Sequence, residues 1–265
     1  MKRIITGLLV GCCWVLLLVF GSFLHLFLAV AALCPIALHE YIGLSLEKPE
    51  KSQVTWFVII GTVPVLAAFS GRFDFVGAGF VLALLLLIFF ILLNYSSLPN
   101  GMNLLSRLAF GIIYVGFCAA HIVLLRKFAQ GNYWLLVLSA IIAGSDIGAY
   151  YVGSWLGRTR LCPAISPGKT WEGAVAGLFF GVLAGLAAVH FFFPTVNLYK
   201  FSVVALLIVL VGIAGDLTES VIKRSAGVKD SGGLLAGHGG LLDRSDSLLL
   251  SAPVFFYLLH FGLLS

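Results

Sequence analysis

Apolar residues run through this chain in near-continuous blocks, broken only by short polar turns. A helix that crosses a bilayer needs about 20 mostly apolar residues, and such blocks follow one another almost end to end. They lie near residues 4–20, 23–44, 54–69, 75–94, 104–125, 133–153, 172–193, 201–222 and 245–263. The breaks carry turn residues: Gly21-Ser22, Lys48-Pro49-Glu50-Lys51, Gly71-Arg72, Pro99-Asn100-Gly101, Gly131-Asn132 and Pro194. The alternation of apolar and polar positions that marks a membrane β-barrel is absent. The pattern predicts an all-α, polytopic integral membrane protein with about nine transmembrane helices.

Composition and charge sharpen this. Of 265 residues, 61% are hydrophobic and 10% charged, which leaves little room for a soluble domain. The net charge of +5 fits loops that meet anionic headgroups, and nucleic acid is not an expected partner. Lys2 and Arg3 predict a cytoplasmic N-terminus, and alternating from there puts 12 of the 16 Lys and Arg residues inside. Loops 154–171 and 223–244 then face the cytoplasm. Seven of the 11 acids lie beyond residue 140. Residues 1–130 therefore read as a transmembrane scaffold and lipid-contact region, and 131–265 as the catalytic region. The five cysteines form no CxxC pair and read as buried apolar thiols. Leu9-Val10-Gly11-Cys12 imitates a lipoprotein cleavage box, but the apolar run continues past Cys12, so an uncleaved first helix is expected.

The chemistry concentrates in residues 215–246. Asp216, Glu219 and Lys223 follow i, i+3, i+7 spacing and share one helix face. Asp216 lies about 9 Å below the cytoplasmic end of its helix at roughly 1.5 Å per residue. Asp243 and Asp246 open the last helix, and Asp146 sits at a similar depth in the sixth. Ionisable groups beside a bilayer are costly, so a dense cluster there is kept for chemistry or transport. Carboxylates without histidine partners suit a hard cation such as Mg²⁺ better than zinc. The glycines at 227, 232, 233, 237, 239 and 240 let backbone N–H groups approach phosphates, and Lys223, Arg224 and Lys229 add positive charge. Together these features describe phosphoryl or nucleotidyl transfer. Gly168-Lys169-Thr170 imitates a P-loop, but position 163 is Pro where that motif needs Gly and no strand is expected before it. Ser166, Lys169 and Thr170 at a helix N-terminus still suit an anion. His39-Glu40, at the end of the second helix, reads as a surface pair with a weak lipid-side role.

The run Ser220-x-x-Lys223-Arg224, Lys229-Asp230, His238-Gly239-Gly240-x-x-Asp243-Arg244-x-Asp246 resembles the signature of the phosphatidate cytidylyltransferase (CDP-diacylglycerol synthase) family. Ser145-Asp146-x-Gly148-Ala149-Tyr150 and Ser166-Pro167-x-Lys169-Thr170-Trp171-Glu172-Gly173 resemble two further blocks of that family. The likeness covers the second half well and the first half only by hydrophobicity. Three positions depart from the family pattern, Ala236 for Pro, Ser245 for an apolar residue and Gly168 for Lys, and none removes a carboxylate.

The resemblance implies a multi-pass cell-membrane enzyme of phospholipid biosynthesis whose active site faces the cytoplasm. It implies transfer of the cytidylyl group of CTP to phosphatidic acid, giving CDP-diacylglycerol and pyrophosphate. Asp216, Asp243 and Asp246 are then expected on Mg²⁺, with Asp146 on a second cation, K⁺ or another Mg²⁺. Lys223 and His238 join the catalytic set. Ser166, Lys169, Thr170, Lys223, Arg224, Lys229, Gly239, Gly240 and Arg244 are expected on substrate. A homodimer is compatible with the resemblance alone. Two rivals stand beside this reading: a CTP-dependent kinase of a lipid alcohol, and a cation or proton transporter. The D-G-x-x-A-R motif of CDP-alcohol phosphotransferases is absent.

Overall fold

A computed structural model describes residues 2–46, 50–97, 100–233 and 239–264. The apolar blocks fold as helices: α1 (Lys2–Phe20), α2 (Phe23–Ser45), α3 (Lys51–Ala67) and α4 (Phe73–Leu93). α5 (Gly101–Gly111) continues through a π-helical stretch, Ile112–Phe117, into α6 (Cys118–Leu125). α7 (Gly131–Leu156), α8 (Trp171–Phe192), α9 (Leu198–Ser225) and α10 (Leu242–His260) complete the set. Among the described residues, seven helical stretches are long and apolar enough to cross a membrane. Among the described residues, α1 adds a shorter apolar helix, Gly7–Phe20, and α10 opens with Asp243, Arg244 and Asp246.

One stretch is not helical. The expected loop 154–171 begins as the end of α7 and then forms an antiparallel hairpin, β1 (Arg160–Cys162) with β2 (Ser166–Thr170). Thr170 pairs with Arg160 in that hairpin and also caps α8, its Oγ1 accepting from the Gly173 N–H at 3.1 Å. From the other side, the Glu172 carboxylate accepts the Thr159 N–H at 3.1 Å. The hairpin is thus fastened at its base to the first turn of α8.

α7 and α8 lie against each other along glycines. A methyl group added at Gly144 would meet Ala184 Cβ at 2.6 Å and Phe180 O at 2.9 Å. Opposite, Gly173, Gly177 and Gly181 abut Ala149 O, Ser145 Oγ and Ile141 O at 2.8, 3.0 and 3.0 Å by the same construction. Small residues every fourth position let helix backbones approach closely where lipid supplies no hydrophobic drive between them. α9 and α10 make a second close approach, with Gly215 set against the backbone of Asp246 and Ser247. The apolar core is continuous through α2, α3, α4, the α5–α6 stretch, α7, α9 and α10.

Candidate active site

Four elements deliver charge to one place. α7 carries Asp146, β2 carries Lys169, α9 carries Asp216, Glu219, Lys223 and Arg224, and α10 carries Asp243, Arg244 and Asp246. All nine, with Ser166, Thr170 and Lys229, line a cavity of ≈ 840 Å³. That size lies in the range of about 300–1,000 Å³ usual for small-molecule sites. The common depth expected for Asp146, Asp216 and Asp246 therefore corresponds to a shared cavity wall.

Within it, Asp216, Glu219 and Asp246 each offer an oxygen, and these atoms lie within 4.8 Å of one another. Glu219 Oε1 is buried and has no hydrogen-bond partner among the described residues. Lysines flank the group. Lys169 Nζ stands 2.5 Å from Asp216 Oδ2, and Lys223 Nζ stands 2.6 Å from Glu219 Oε2. Three convergent carboxylates with an unsatisfied oxygen fit a hard, oxygen-seeking cation such as Mg²⁺. The grouping differs from the metal set that the family resemblance implies in containing Glu219 rather than Asp243.

Asp243 is engaged elsewhere. Its Oδ1 accepts from Lys223 Nζ at 2.5 Å. Its Oδ2 accepts from the Ser231 and Gly240 N–H groups, each at 2.8 Å, and lies 3.0 Å from the Ser231 hydroxyl. Gly239 and Gly240, expected to meet phosphate, pack against carboxylates instead. Gly239 has φ +80°, and a side chain there would strike Asp243 Oδ2. The Gly240 N–H is spent on Asp243. Arg224 Nε donates to Ile165 O at 3.1 Å, tying the turn of the hairpin to the end of α9. Thr170 is buried, with its Oγ1 committed to the cap. His238 lies outside the described residues.

Two contributors were given no place in the site by the sequence. Glu40 is buried, and its carboxylate accepts the N–H groups of Leu241 and Leu242, both at 2.9 Å. It does not sit in a surface pair, because the end of α2 is covered by the start of α10. The signal available was a lone acid at the end of an apolar helix. Tyr114, in the π-helical stretch, is buried and donates from its hydroxyl to Gly215 O at 3.3 Å, one residue before Asp216. π-helical insertions recur at functional sites.

Residues 1–262 match the Cytidylyltransferase family, and the chain belongs to it. Among curated relatives it is similar to proteins named phosphatidate cytidylyltransferase. That of Haemophilus influenzae is 40% identical over 138 residues, 51% of this chain and 48% of the relative. That of Pseudomonas aeruginosa is 39% identical over 154 residues, 58% and 57% of the two chains. That of Synechocystis sp. is 47% identical over 133 residues, 50% and 45% of the two chains. The chain thus spans about half the length of the curated relatives it matches.

Proposed function

We propose that this protein transfers the cytidylyl group of CTP to phosphatidic acid, releasing pyrophosphate and leaving CDP-diacylglycerol in the membrane. The observation that carries the reading is the triad Asp216, Glu219 and Asp246 between Lys169 and Lys223 on the wall of a nucleotide-sized cavity. Membership of the family and the names of the relatives support the same chemistry.

In the reaction, a phosphate oxygen of the lipid attacks the α-phosphorus of CTP in line. The bond from the α-phosphorus to the oxygen bridging to the β-phosphorus breaks, and pyrophosphate carries the electron pair away. The lipid phosphate is anionic near neutral pH, so no side chain has to remove a proton from it. Asp216, Glu219 and Asp246 would hold Mg²⁺, which when bound neutralises triphosphate charge and eases departure of pyrophosphate. Asp146 is the candidate for a second cation. Lys169 offsets the charge of Asp216, and Lys223 that of Glu219 and Asp243; both can pass to phosphate oxygens when substrate enters. Arg244 and Lys229 add cationic wall for the β- and γ-phosphates. Asp243 would fix Ser231 and Gly240, between α9 and α10.

The charge bias of the loops supports a cavity that opens to the cytoplasm, where CTP is available. Tyr150, which lines the cavity, and Trp155 and Trp171, next in sequence to the lining residues Ser154 and Thr170, are exposed and support a mouth at headgroup depth. The test is transfer of label from α-labelled CTP into the lipid phase by purified protein with phosphatidic acid and Mg²⁺. Metal-dependent, CTP-selective transfer is the expected result. Transfer of the γ-phosphate instead would assign the lipid-alcohol kinase, and no transfer of either label would overturn both.

A further inference from the structure

We infer that Glu40 is a positioning residue for the carboxylate cluster: from α2 it clamps the start of α10 and Ser231, and so sets where Asp243 and Asp246 stand. The inference deepens the proposed function, and only the activity half of its test depends on that reading.

α10 begins without a local cap. Its first turn follows Leu241, whose side chain has no oxygen to accept the open N–H groups. Those groups go to a residue some two hundred positions earlier in the chain. Leu241 N–H donates to Glu40 Oε1 and Leu242 N–H to Oε2, each at 2.9 Å. A carboxylate at this end of a helix also meets the positive pole of its dipole. The Ser231 hydroxyl lies 3.1 Å from Glu40 Oε2 and 3.0 Å from Asp243 Oδ2, so its single proton is shared between the two carboxylates. Space is left for this arrangement by glycine. A methyl group at Gly232 would come within 2.8 Å of Glu40 Oε1, and one at Gly240 would overlap Oε2.

The consequence reaches the triad by helix geometry. Asp246 lies four residues beyond Leu242, one turn along the same face. A slide or rotation of the first turn of α10 therefore carries Asp246 away from Asp216 and Glu219. A buried carboxylate is costly unless its oxygens are satisfied, and here two backbone N–H groups and the shared Ser231 hydroxyl satisfy it; among the described residues of that half of the chain it is the buried acid. The amino-terminal half thus takes part in shaping the site.

Glu40→Gln keeps the side chain's shape but leaves one acceptor oxygen for two N–H donors. Two measurements on the full-length protein in detergent test it. The first, hydrogen exchange without substrate, should be at least about tenfold faster across 240–246 and unchanged in α7 and α8. The second, CTP-dependent label transfer, should need roughly tenfold more Mg²⁺ for half-saturation, with KM for phosphatidic acid unchanged. Ser231→Ala, which removes one link only, should change both in the same direction by less, and it serves if Glu40→Gln does not fold. Wild-type exchange over 240–246 in both variants would overturn the inference. So would equally faster exchange in every helix, which would make Glu40 a general packing residue. If the wild-type chain transfers no label, the functional reading fails, while locally faster exchange in Glu40→Gln still establishes the clamp.

Discussion

Asp243 and Asp246 are three residues apart in one helix, yet replacement by Asn should destabilise the protein at the first and leave its stability nearly unchanged at the second. Asp243 is half-buried and accepts from Lys223 through one oxygen and from the Ser231 and Gly240 N–H groups through the other. An Asn amide must aim its NH₂ either at the lysine ammonium or at the two backbone donors. Either way it loses one or two charge-assisted hydrogen bonds, at about 1.5–3 kcal/mol each. Asp243→Asn should thus cost about 2–6 kcal/mol, which for a chain of this size corresponds to roughly 4–20 °C in Tm. Asp246 accepts from the Ser247 N–H at 2.7 Å, a bond that an amide oxygen can keep. Removing its charge also relieves repulsion from Asp216 and Glu219, so Asp246→Asn should melt within about 2 °C of wild type. Both should fail to transfer label. The assay is loss of the monodisperse size-exclusion peak in detergent after heating, beside the lipid-labelling reaction. Equal Tm for the two variants would refute the division of labour, and full activity in Asp246→Asn would refute its place on the metal.

Other substitutions test separate parts of the site. Lys169→Ala breaks an ion pair whose side chains are 24% and 34% exposed, so stability should change by less than about 1 kcal/mol while kcat/KM for CTP falls at least roughly tenfold; unchanged CTP kinetics would remove Lys169 from the nucleotide site. Lys223→Met leaves Glu219 and Asp243 without their shared cation and should lower stability by about 3–5 kcal/mol, most of it regained in the double variant with Glu219→Gln, as a thermal double-mutant cycle would measure. Gly181→Val forces a branched side chain against Val209 and the Ile141 carbonyl and should cost about 1–3 kcal/mol, together with activity, because α7 carries Asp146; a wild-type melting curve would argue against the tight α7–α8 contact.

The sequence made some of this visible and hid the rest for definable reasons. Apolar blocks marked the helices because membrane spans are long and their turns carry glycine, proline and charge. Asp216 and Glu219 could be paired by spacing because helix periodicity is fixed. Spacing could not say which carboxylate in α10 faces the cluster and which faces the glycine segment, since both lie within its first two turns. That choice depends on Lys223, Ser231 and Gly240, and so on tertiary contacts. Glu40 was legible only as an acid ending an apolar helix; its partners are backbone N–H groups, which no side-chain motif advertises. The hairpin was missed because two short strands between long helices give little periodic signal. The glycine contact of α7 and α8 was in principle readable, since Gly173, Gly177, Gly181 and Gly185 recur every fourth residue on α8.

That seam of glycines has a mechanical meaning. Helices in backbone contact, joined at one end by a hairpin fastened to the first turn of α8, behave as a single stiff plate. Asp146, Ser166 and Lys169 ride on that plate, while Asp216, Glu219, Asp243 and Asp246 ride on the α9–α10 pair. The plate and the pair pack directly where Gly181 of α8 meets Val209 of α9; across the cavity they are also joined by the Lys169–Asp216 ion pair and the bond from Arg224 to Ile165, both made by long, flexible cationic side chains. Under the proposed transfer, those two cations are contacts for which incoming phosphates would compete.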